Sequence, residues 1–458
     1  MLNSKPRLSL LQIFNMSFGF LGIQFGFALQ TGNASRILQT FGADVEHLSL
    51  FWLAAPISGI LIQPIIGHYS DHTWTRLGRR RPYFLVGAVV AAISLALMPN
   101  VGWFTAFLPP LMIGAGMLML MDASFNVAME PFRALIADNL PESQRSTGFS
   151  IQTFLIGAGA IIGSFLPYVL AEYCGIQKTA VPGKVPDNVI YSFYTGALVL
   201  VGSLLWTVFT TKEYSPEEHR QFNTEDHEHR HKKGLMTIFT DFTSMPEMMV
   251  KLGIVQFFSW FALFSMWVFT TPAIAQHVYR LAPADTSSDH YADAGNWTGI
   301  LFGIYNLVSA LYAMVLPYLF RLMGKRNTHI FSLSIAGIGL LSIYFIHDVH
   351  FLIYPMIAVG LAWGSILTTP YALLSNAIPS HKMGVYMGIF NFFITLPQLV
   401  NGFIGGYTVK HLFNGYAIYA LISAGLFMLL GAASMMMIKE EKTCTSFLTE
   451  PSAKGFRS

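Results

Sequence analysis

The side chains most able to do chemistry interrupt one apolar stretch, MLMLMDASFNVAMEPFRALIADNL at positions 117–140. Asp122, Asn126, Glu130 and Arg133 fall within twelve positions of a run that is otherwise mostly Met, Leu, Ala, Val and Phe. At about 100° per residue on a helix, all four lie within an arc of roughly 80°. The stretch therefore predicts a helix with one polar stripe on an apolar surface.

Asp122 is the candidate proton carrier. An Asp at the centre of a bilayer costs about 2.5–3.5 kcal/mol, so its stripe must face water or a partner. Arg133 lies eleven residues away, about 16 Å along the axis, and cannot pair with Asp122 within this helix. A carboxylate in a poorly hydrated cavity takes up a proton nearer to neutral pH than one in water does. The alternative is a structural Asp that bonds a neighbouring helix.

Glu130 and Arg133 are the other candidates for proton coupling. Arg133 can reach Glu130 one helical turn back. It can also interact with the carboxylate of Asp122 through water or substrate when the helices move. The alternative is structural: the pair holds the end of this helix against a neighbouring helix.

Composition places the stretch in a membrane protein. The chain is 53% hydrophobic and 11% charged, whereas soluble proteins carry about 25% charged residues. Apolar runs of about 20 residues, the span of a transmembrane helix, recur along the chain. They predict an all-α membrane protein of twelve helices, because a β-barrel would show short alternating segments. The helices are predicted near 9–31, 47–69, 82–99, 103–130, 147–171, 190–211, 248–279, 296–321, 328–347, 351–377, 384–409 and 415–438.

The chain divides into two predicted halves. Residues 213–234 are polar and charged, which predicts a cytoplasmic linker at 213–245 between six-helix bundles at 1–212 and 246–458. ADNLPESQRSTGFSIQTF (137–154) is echoed by SNAIPSHKMGVYMGIFNF (375–392). Lys and Arg gather in the loops on one side of the membrane, which predicts that both termini are cytoplasmic.

Four segments carry a resemblance to a known family. GHYSDHTWTRLGRRRPY (67–83) resembles the loop motif between helices 2 and 3 of major facilitators. This motif, FWLAAPISGILIQPIIGHYSD (51–71), MDASFNVAMEPFRALIADNL (121–140) and KMGVYMGIFNFFITLPQ (382–398) together resemble the sucrose/maltose proton symporters. These are glycoside–pentoside–hexuronide cation symporters that include the plant sucrose carriers.

The resemblance implies a fold, a function and a coupling residue. It implies two pseudo-symmetric six-helix bundles, import of a disaccharide with a proton by alternating access, and a coupling Asp at position 122. The compact chain favours a bacterial member, so we expect it in the inner (plasma) membrane. By analogy with the fold, Asp71 and the arginines Arg79, Arg80 and Arg81 are predicted to gate, with Asp71 latching the outward-open state. The alternative is that the arginines are only cytoplasmic anchors.

A sugar site needs uncharged donors and acceptors and an aromatic face. Asn391 and Gln398 are seven residues apart, so they share one helix face. The predicted substrate-binding residues are Gln30, Gln63, Asn126, Gln256, Trp260, Asn306, Tyr371, Asn391 and Gln398. Gln24, Tyr305 and Asn376 are further polar positions on the same helices. For each amide, the alternative is a hydrogen bond to a neighbouring helix.

Other classes of function lack a signal. The sequence has no P-loop for ATP, no catalytic constellation and no metal-ligand helix, so we expect no enzyme, metal or cofactor besides the coupling proton. The net charge of +3 reflects the loop bias rather than nucleic-acid binding. We expect a monomer whose partners are a disaccharide, a proton and lipid. The alternatives are a Na⁺-coupled glycoside symporter and a non-transporting sensor, and maltose and sucrose are not separated.

Overall fold

The computed structural model describes residues 5–103, 105–215, 217–218, 245–377 and 383–438. Helices account for most of this part of the chain. The α-helices of the first half, residues 5–215, are α1 (Leu10–Ser17), α2 (Gly19–Thr40), α3 (Val45–Phe51), α4 (Ala54–His72), α5 (Arg81–Leu97), α6 (Pro110–Asn139), α7 (Glu142–Glu172) and α8 (Asp187–Thr210). Those of the second half, residues 245–438, are α9 (Glu247–Ala273), α10 (Asp289–Ser342), α11 (Ile353–Ile366), α12 (Thr369–Ala377), α13 (Met383–His411) and α14 (Ile418–Ser434).

Eleven helical segments of the described chain are long and apolar enough to cross a membrane. One of them, Asp289–Phe345, has 57 residues, far more than the roughly 20 that a span needs. Gly324 breaks it with φ 82° and ψ 158°. Tyr312 and Ser332 flank this break, and their hydroxyl oxygens lie 2.9 Å apart. Because a straight helix would separate these residues by about 30 Å, the two arms of α10 fold back on each other.

Every predicted apolar run overlaps helical residues, but several boundaries differ. The runs predicted near 296–321 and 328–347 fall on the two arms of α10. The first run, predicted to end at 31, continues as α2 to Thr40. This extension is polar in sequence, yet Ser35, Arg36 and Gln39 in it are buried. Their hydrogen bonds to the second half explain why the helix does not end where the apolar residues end.

Aromatic stacking packs the core of each half. In the first half, Phe132 stacks on Phe20 with 4.0 Å between ring centroids and on Phe84 with 4.9 Å. In the second half, Phe261 and Phe427 stack at 4.2 Å and join α9 to α14. These first-half contacts pack α6 against α2 and α5. They therefore fix the rotation of α6 about its own axis.

The two halves are joined at one end, where uncharged side chains bond backbone across the interface. Ser35 Oγ donates to Val268 O at 2.9 Å. Ser49 Oγ donates to Gly402 O and accepts from Gly406 N, both at 2.9 Å. We call this contact region, residues 35–49 of the first half against 268, 291–296 and 402–410 of the second, the sealed end.

Charged groups reinforce the sealed end. Arg36 is 1% exposed, and its Nη1 donates to Asn296 Oδ1 at 3.0 Å. Lys410 Nζ lies 2.6 Å from a Glu46 carboxylate oxygen. Lys178 Nζ donates to Asp293 Oδ1 at 2.7 Å, and this bond raises the pKa of Lys178. A buried guanidinium without partners would be costly, so these bonds favour the joined arrangement.

Helices α2 and α7 approach closely because α7 carries glycine at the contact. A Cβ on Gly159 would lie 2.2 Å from Leu21 O, and a Cβ on Gly163 would lie 2.6 Å from Phe25 O. The pair forms a GxxxG spacing, which lets helix backbones meet in membranes.

We expect Gly159→Ala to destabilise the protein by about 1–3 kcal/mol, because the methyl group must push the α2 backbone away. Gly157→Ala is the matched control, since its Cβ would meet only Ala310 Cβ at 3.8 Å. The measurement is the melting temperature of the detergent-purified variants. Equal melting temperatures for the two variants would contradict the close approach.

Candidate functional site

A cavity of about 650 Å³ lies between the two halves. Its walls combine one carboxylate with uncharged polar groups and aromatic rings. The polar and aromatic lining residues include Gln24, Thr31, Trp52, Gln63, Asp122, Asn126, Ser164, Trp260, Phe264, Trp267, Phe302, Tyr305, Asn306, Trp363, Asn391, Phe392, Thr395 and Gln398.

Asp122 and Asn126, the two described side chains of the polar stripe of α6, line this cavity. Asp122 lines the cavity although its side chain is 2% exposed. Gln30 on α2 donates from Nε2 to Asp122 Oδ1 at 2.5 Å. Asp122 therefore both borders the cavity and bonds a neighbouring helix. The side chains of Glu130 and Arg133, predicted to share in proton coupling, lie outside the described residues.

Asn126 lies one helical turn from Asp122 and connects α6 to α4. Its Nδ2 donates to Ser58 Oγ at 2.9 Å, and its Oδ1 accepts from Gln63 Nε2 at 2.6 Å. Asn126 and Gln63, which were both predicted to bind substrate, line the cavity. Interhelical bonding, the alternative weighed for these amides, is also present.

The second half contributes three amides to the cavity wall, Asn306 on α10 and Asn391 and Gln398 on α13. Asn306 Nδ2 donates to Phe302 O at 2.8 Å, and Gln398 Nε2 donates to Ile394 O at 3.1 Å. A carboxamide has two N–H donors and one acceptor oxygen. Each of these two side chains therefore keeps further hydrogen-bonding capacity after its intrahelical bond.

Three tryptophans cluster on the cavity wall of the second half. Trp260 lies 6.1 Å from Trp267 and 5.6 Å from Trp363 between ring centroids, and all pairs meet edge to face. Trp267 Nε1 donates to Tyr305 OH at 3.1 Å, whereas Trp260 Nε1 is buried and has no hydrogen-bond partner in the described chain. The sequence analysis named Trp260 but missed Trp267 and Trp363. Trp267 has a sequence signal, its spacing of seven residues from Trp260 on one face of α9.

Three residues predicted to bind substrate do not line the cavity. Gln30 lies behind Asp122, and Gln256 is fully buried beside Ser259 in its own helix. Tyr371 packs on Phe390 with 5.6 Å between ring centroids. Mid-helix polarity alone cannot separate a cavity wall from a helix contact, because both surround the side chain with protein.

The arginines predicted to gate bind within the first half. Arg79 Nη2 and Arg80 Nε lie 2.5 and 3.1 Å from Asp138 Oδ2 at the end of α6. Glu213, which follows α8, accepts from the backbone N–H groups of Arg79, Arg80 and Arg81 at 2.8–2.9 Å. The side chain of Asp71 lies outside the described residues. The sequence analysis missed Glu213, because nothing local marks a carboxylate that caps a distant helix.

One group of potential metal ligands occurs in the described chain, formed by Asp44, Glu46 and His47 with ligand atoms within 4.8 Å of one another. It lies near the protein surface at the sealed end, away from the cavity lining. Glu46 is engaged by Lys410, and an exposed acidic group of this kind is no indication of a metal.

Similar proteins are found among curated sequences. The chain is 25% identical over 443 residues to the sucrose transport protein SUT5 of Oryza sativa subsp. indica, covering 84% of this chain and 79% of the relative. It is 26% identical to the sucrose transport protein SUC4 of Arabidopsis thaliana, covering 86% and 83%. It is 28% identical to the general alpha-glucoside permease of Schizosaccharomyces pombe, covering 67% and 56%.

Solved structures and a family model agree on the architecture. The nucleoside transporter NupG aligns with a TM-score of 0.66 and 14% identity over 94% of this chain and 99% of that one. A D-xylose-proton symporter aligns with a TM-score of 0.66 and 17% identity over 93% and 97%. Residues 16–402 match the sequence model of the Major Facilitator Superfamily. With this match across most of its length, the chain belongs to the Major Facilitator Superfamily of membrane transporters.

Proposed function

We propose that the protein imports a disaccharide, maltose or sucrose or a related glucoside, together with a proton. The observation that carries the proposal is the cavity of about 650 Å³ between the halves, which combines Asp122 with uncharged amides and tryptophan rings. The similarity to sucrose and alpha-glucoside transporters supports a sugar as the substrate.

The cavity wall suits a neutral, hydroxyl-rich molecule. Its volume of about 650 Å³ lies within the range of small-molecule sites, about 300–1,000 Å³. Asn126, Asn391 and Gln398 supply donors and acceptors for hydroxyl groups, and the rings of Trp260 and Trp363 supply apolar faces. Trp260 Nε1, buried without a partner in the described chain, is a donor that a sugar hydroxyl would satisfy.

Asp122 is the proposed proton carrier. Among the described lining residues, it is the one acid. One proton moving inward across 100 mV supplies about 2.3 kcal/mol, enough for accumulation of the order of tens-fold. Glu130 and Arg133 are proposed to share in proton coupling, with Arg133 able to interact with Asp122 through water or substrate.

Alternating access of the two halves is the proposed mechanism. We count twelve spans by taking the two arms of α10 separately, and we place both termini on the cytoplasmic side of the plasma membrane. The sealed end then faces outward, and the described structure represents the state closed to the outside. The clamp of Arg79, Arg80 and Arg81 on Asp138 and Glu213 would hold the first half together as it moves, with Asp71 as a proposed latch.

We expect Asp122→Asn to abolish proton-driven accumulation, because a carboxamide cannot carry the proton. Sugar exchange across proteoliposome membranes without a pH gradient should persist and serves as the internal control. The measurement is uptake of labelled maltose and sucrose with and without an imposed gradient. Normal uphill uptake by this variant would remove Asp122 from the mechanism, and uptake that follows a Na⁺ gradient would support the rival cation.

We expect Gln398→Ala to raise KM for the transported sugar about ten-fold, because losing one good hydrogen bond costs about 1.4 kcal/mol. Gln256→Ala is the matched control, since Gln256 is a buried amide that does not line the cavity. KM is measured by initial-rate uptake normalised to the amount of folded transporter in the membrane. A larger effect on KM from Gln256→Ala would contradict this assignment of the site.

We expect cross-linking of the sealed end to stop transport. The charged groups of Glu46 and Lys410 lie 2.6 Å apart. We replace both residues with cysteine in a variant whose two native cysteines, Cys174 and Cys444, are serine. A reducible bifunctional thiol reagent then joins the two introduced cysteines. Uptake should fall to background and recover on reduction, because the halves can no longer separate there. Each single-cysteine variant is the control. Full uptake by the cross-linked protein would exclude opening at this end.

A further inference from the structure

Gln30 and Asp122 form a polar pair enclosed by the first half. Gln30 is 3% exposed and Asp122 is 2% exposed. Gln30 Nε2 donates a hydrogen bond to Asp122 Oδ1. Gln30 does not line the cavity, but Asp122 does. The amide therefore contacts the carboxylate from the protein side, and the cavity reaches it from the other.

The second polar atom of the Gln30 amide is unusual. Gln30 Oε1 is buried and has no hydrogen-bond partner among the described residues. Burying an unsatisfied acceptor is unfavourable, so the bond to the carboxylate must hold the amide in this orientation. If Asp122 is protonated, its O–H becomes a donor, and rotation of the amide offers Oε1 as the acceptor. Gln30 can thus partner both forms of the acid.

Charged and titratable groups on the helices packed against α6 are engaged elsewhere. Arg36 of α2 bonds Asn296 at the sealed end, Arg81 of α5 pairs with Glu213, and Tyr83 of α5 bonds Thr73. The remaining described groups of this kind on α4, α6 and α7 are Tyr69, Asp138, Arg145, Tyr168 and Glu172. Within the described chain, the side-chain hydrogen bond to Asp122 comes from Gln30. The side chains of His68, Asp71, His72, Glu130, Arg133 and Glu142 lie outside the described residues.

We propose that Gln30 is the positioning residue that sets the pH at which Asp122 releases its proton. The inference rests on the proposed role of Asp122 as the proton carrier. An N–H donor stabilises the ionised acid more than the neutral acid, so Gln30 offsets part of the cost of burying the charge. Without this donor, Asp122 keeps its proton to higher pH and releases it less readily to the cytoplasm.

The test is the external-pH dependence of sugar uptake by Gln30→Met. Methionine matches the length of glutamine but has no N–H group. The midpoint at which uptake declines with rising pH should move upward by about one unit, because a hydrogen bond to a charged group is typically worth at least that. Gln30→Asn is one methylene shorter, so its N–H group lies further from the carboxylate and the midpoint should shift in the same direction. This variant serves as the test if the methionine variant fails to reach the membrane.

Asn33→Leu is the matched control. Asn33 is a buried amide on the same helix, but its Nδ2 donates to Leu29 O of its own helix. Its Oδ1 is also buried without a partner in the described chain. Removing this amide should leave the midpoint unchanged, whatever it does to the amount of transporter in the membrane. A shift as large as that of Gln30→Met would overturn the specific role of Gln30.

Asp122→Asn separates the two proposals. If uptake by Asp122→Asn no longer depends on a pH gradient and Gln30→Met keeps the wild-type midpoint, the role of Gln30 is wrong and the proton carrier stands. If Asp122→Asn keeps the wild-type pH dependence, the proposed proton carrier fails and the role of Gln30 fails with it. Loss of gradient dependence in Asp122→Asn together with an upward shift in Gln30→Met supports both.

Discussion

Polar atoms inside a membrane protein must find partners, and this constraint shapes the structure from the helix ends to the cavity. The Gln30–Asp122 hydrogen bond is the clearest example of this constraint, because the carboxylate lies where lipid and close-packed protein both disfavour charge. At the sealed end the same constraint joins the halves. Arg36 is buried only because Asn296 and the backbone of Lys178 accept its hydrogens.

The cavity divides its chemistry between the halves. The first half supplies the acid and the amides of α4 and α6, and the second supplies the tryptophan cluster together with its own amides. A ligand that touches both walls is therefore held by hydrogen bonds on one side and by hydrogen bonds and aromatic surface on the other. Neither wall alone forms the whole cavity, so its shape depends on how the two halves pack against each other.

The sequence predicted the helical membrane fold and several lining residues, because bilayer spans and intramembrane acids leave strong signals. Asp122, Asn126, Gln63, Asn306, Asn391 and Gln398 all reach the cavity wall. Gln256 and Tyr371 do not, since a polar residue that bonds its own helix or packs on a ring looks the same in sequence. The end of α2 was placed too early because Asn296, a partner of Arg36, lies 260 positions further along the chain. Trp363 and Glu213 were missed for the same reason, that only the folded chain brings them to their neighbours.

Glu213, together with Asp138, connects the ends of three helices of the first half. Its carboxylate accepts three successive backbone N–H groups at the start of α5, while Asp138 binds two arginine side chains of the same turn. The ends of α6 and α8 are thereby fixed to the start of α5, directly before the segment that leads to the second half. Displacing any one of these three helix ends would therefore break hydrogen bonds or ion pairs to the others.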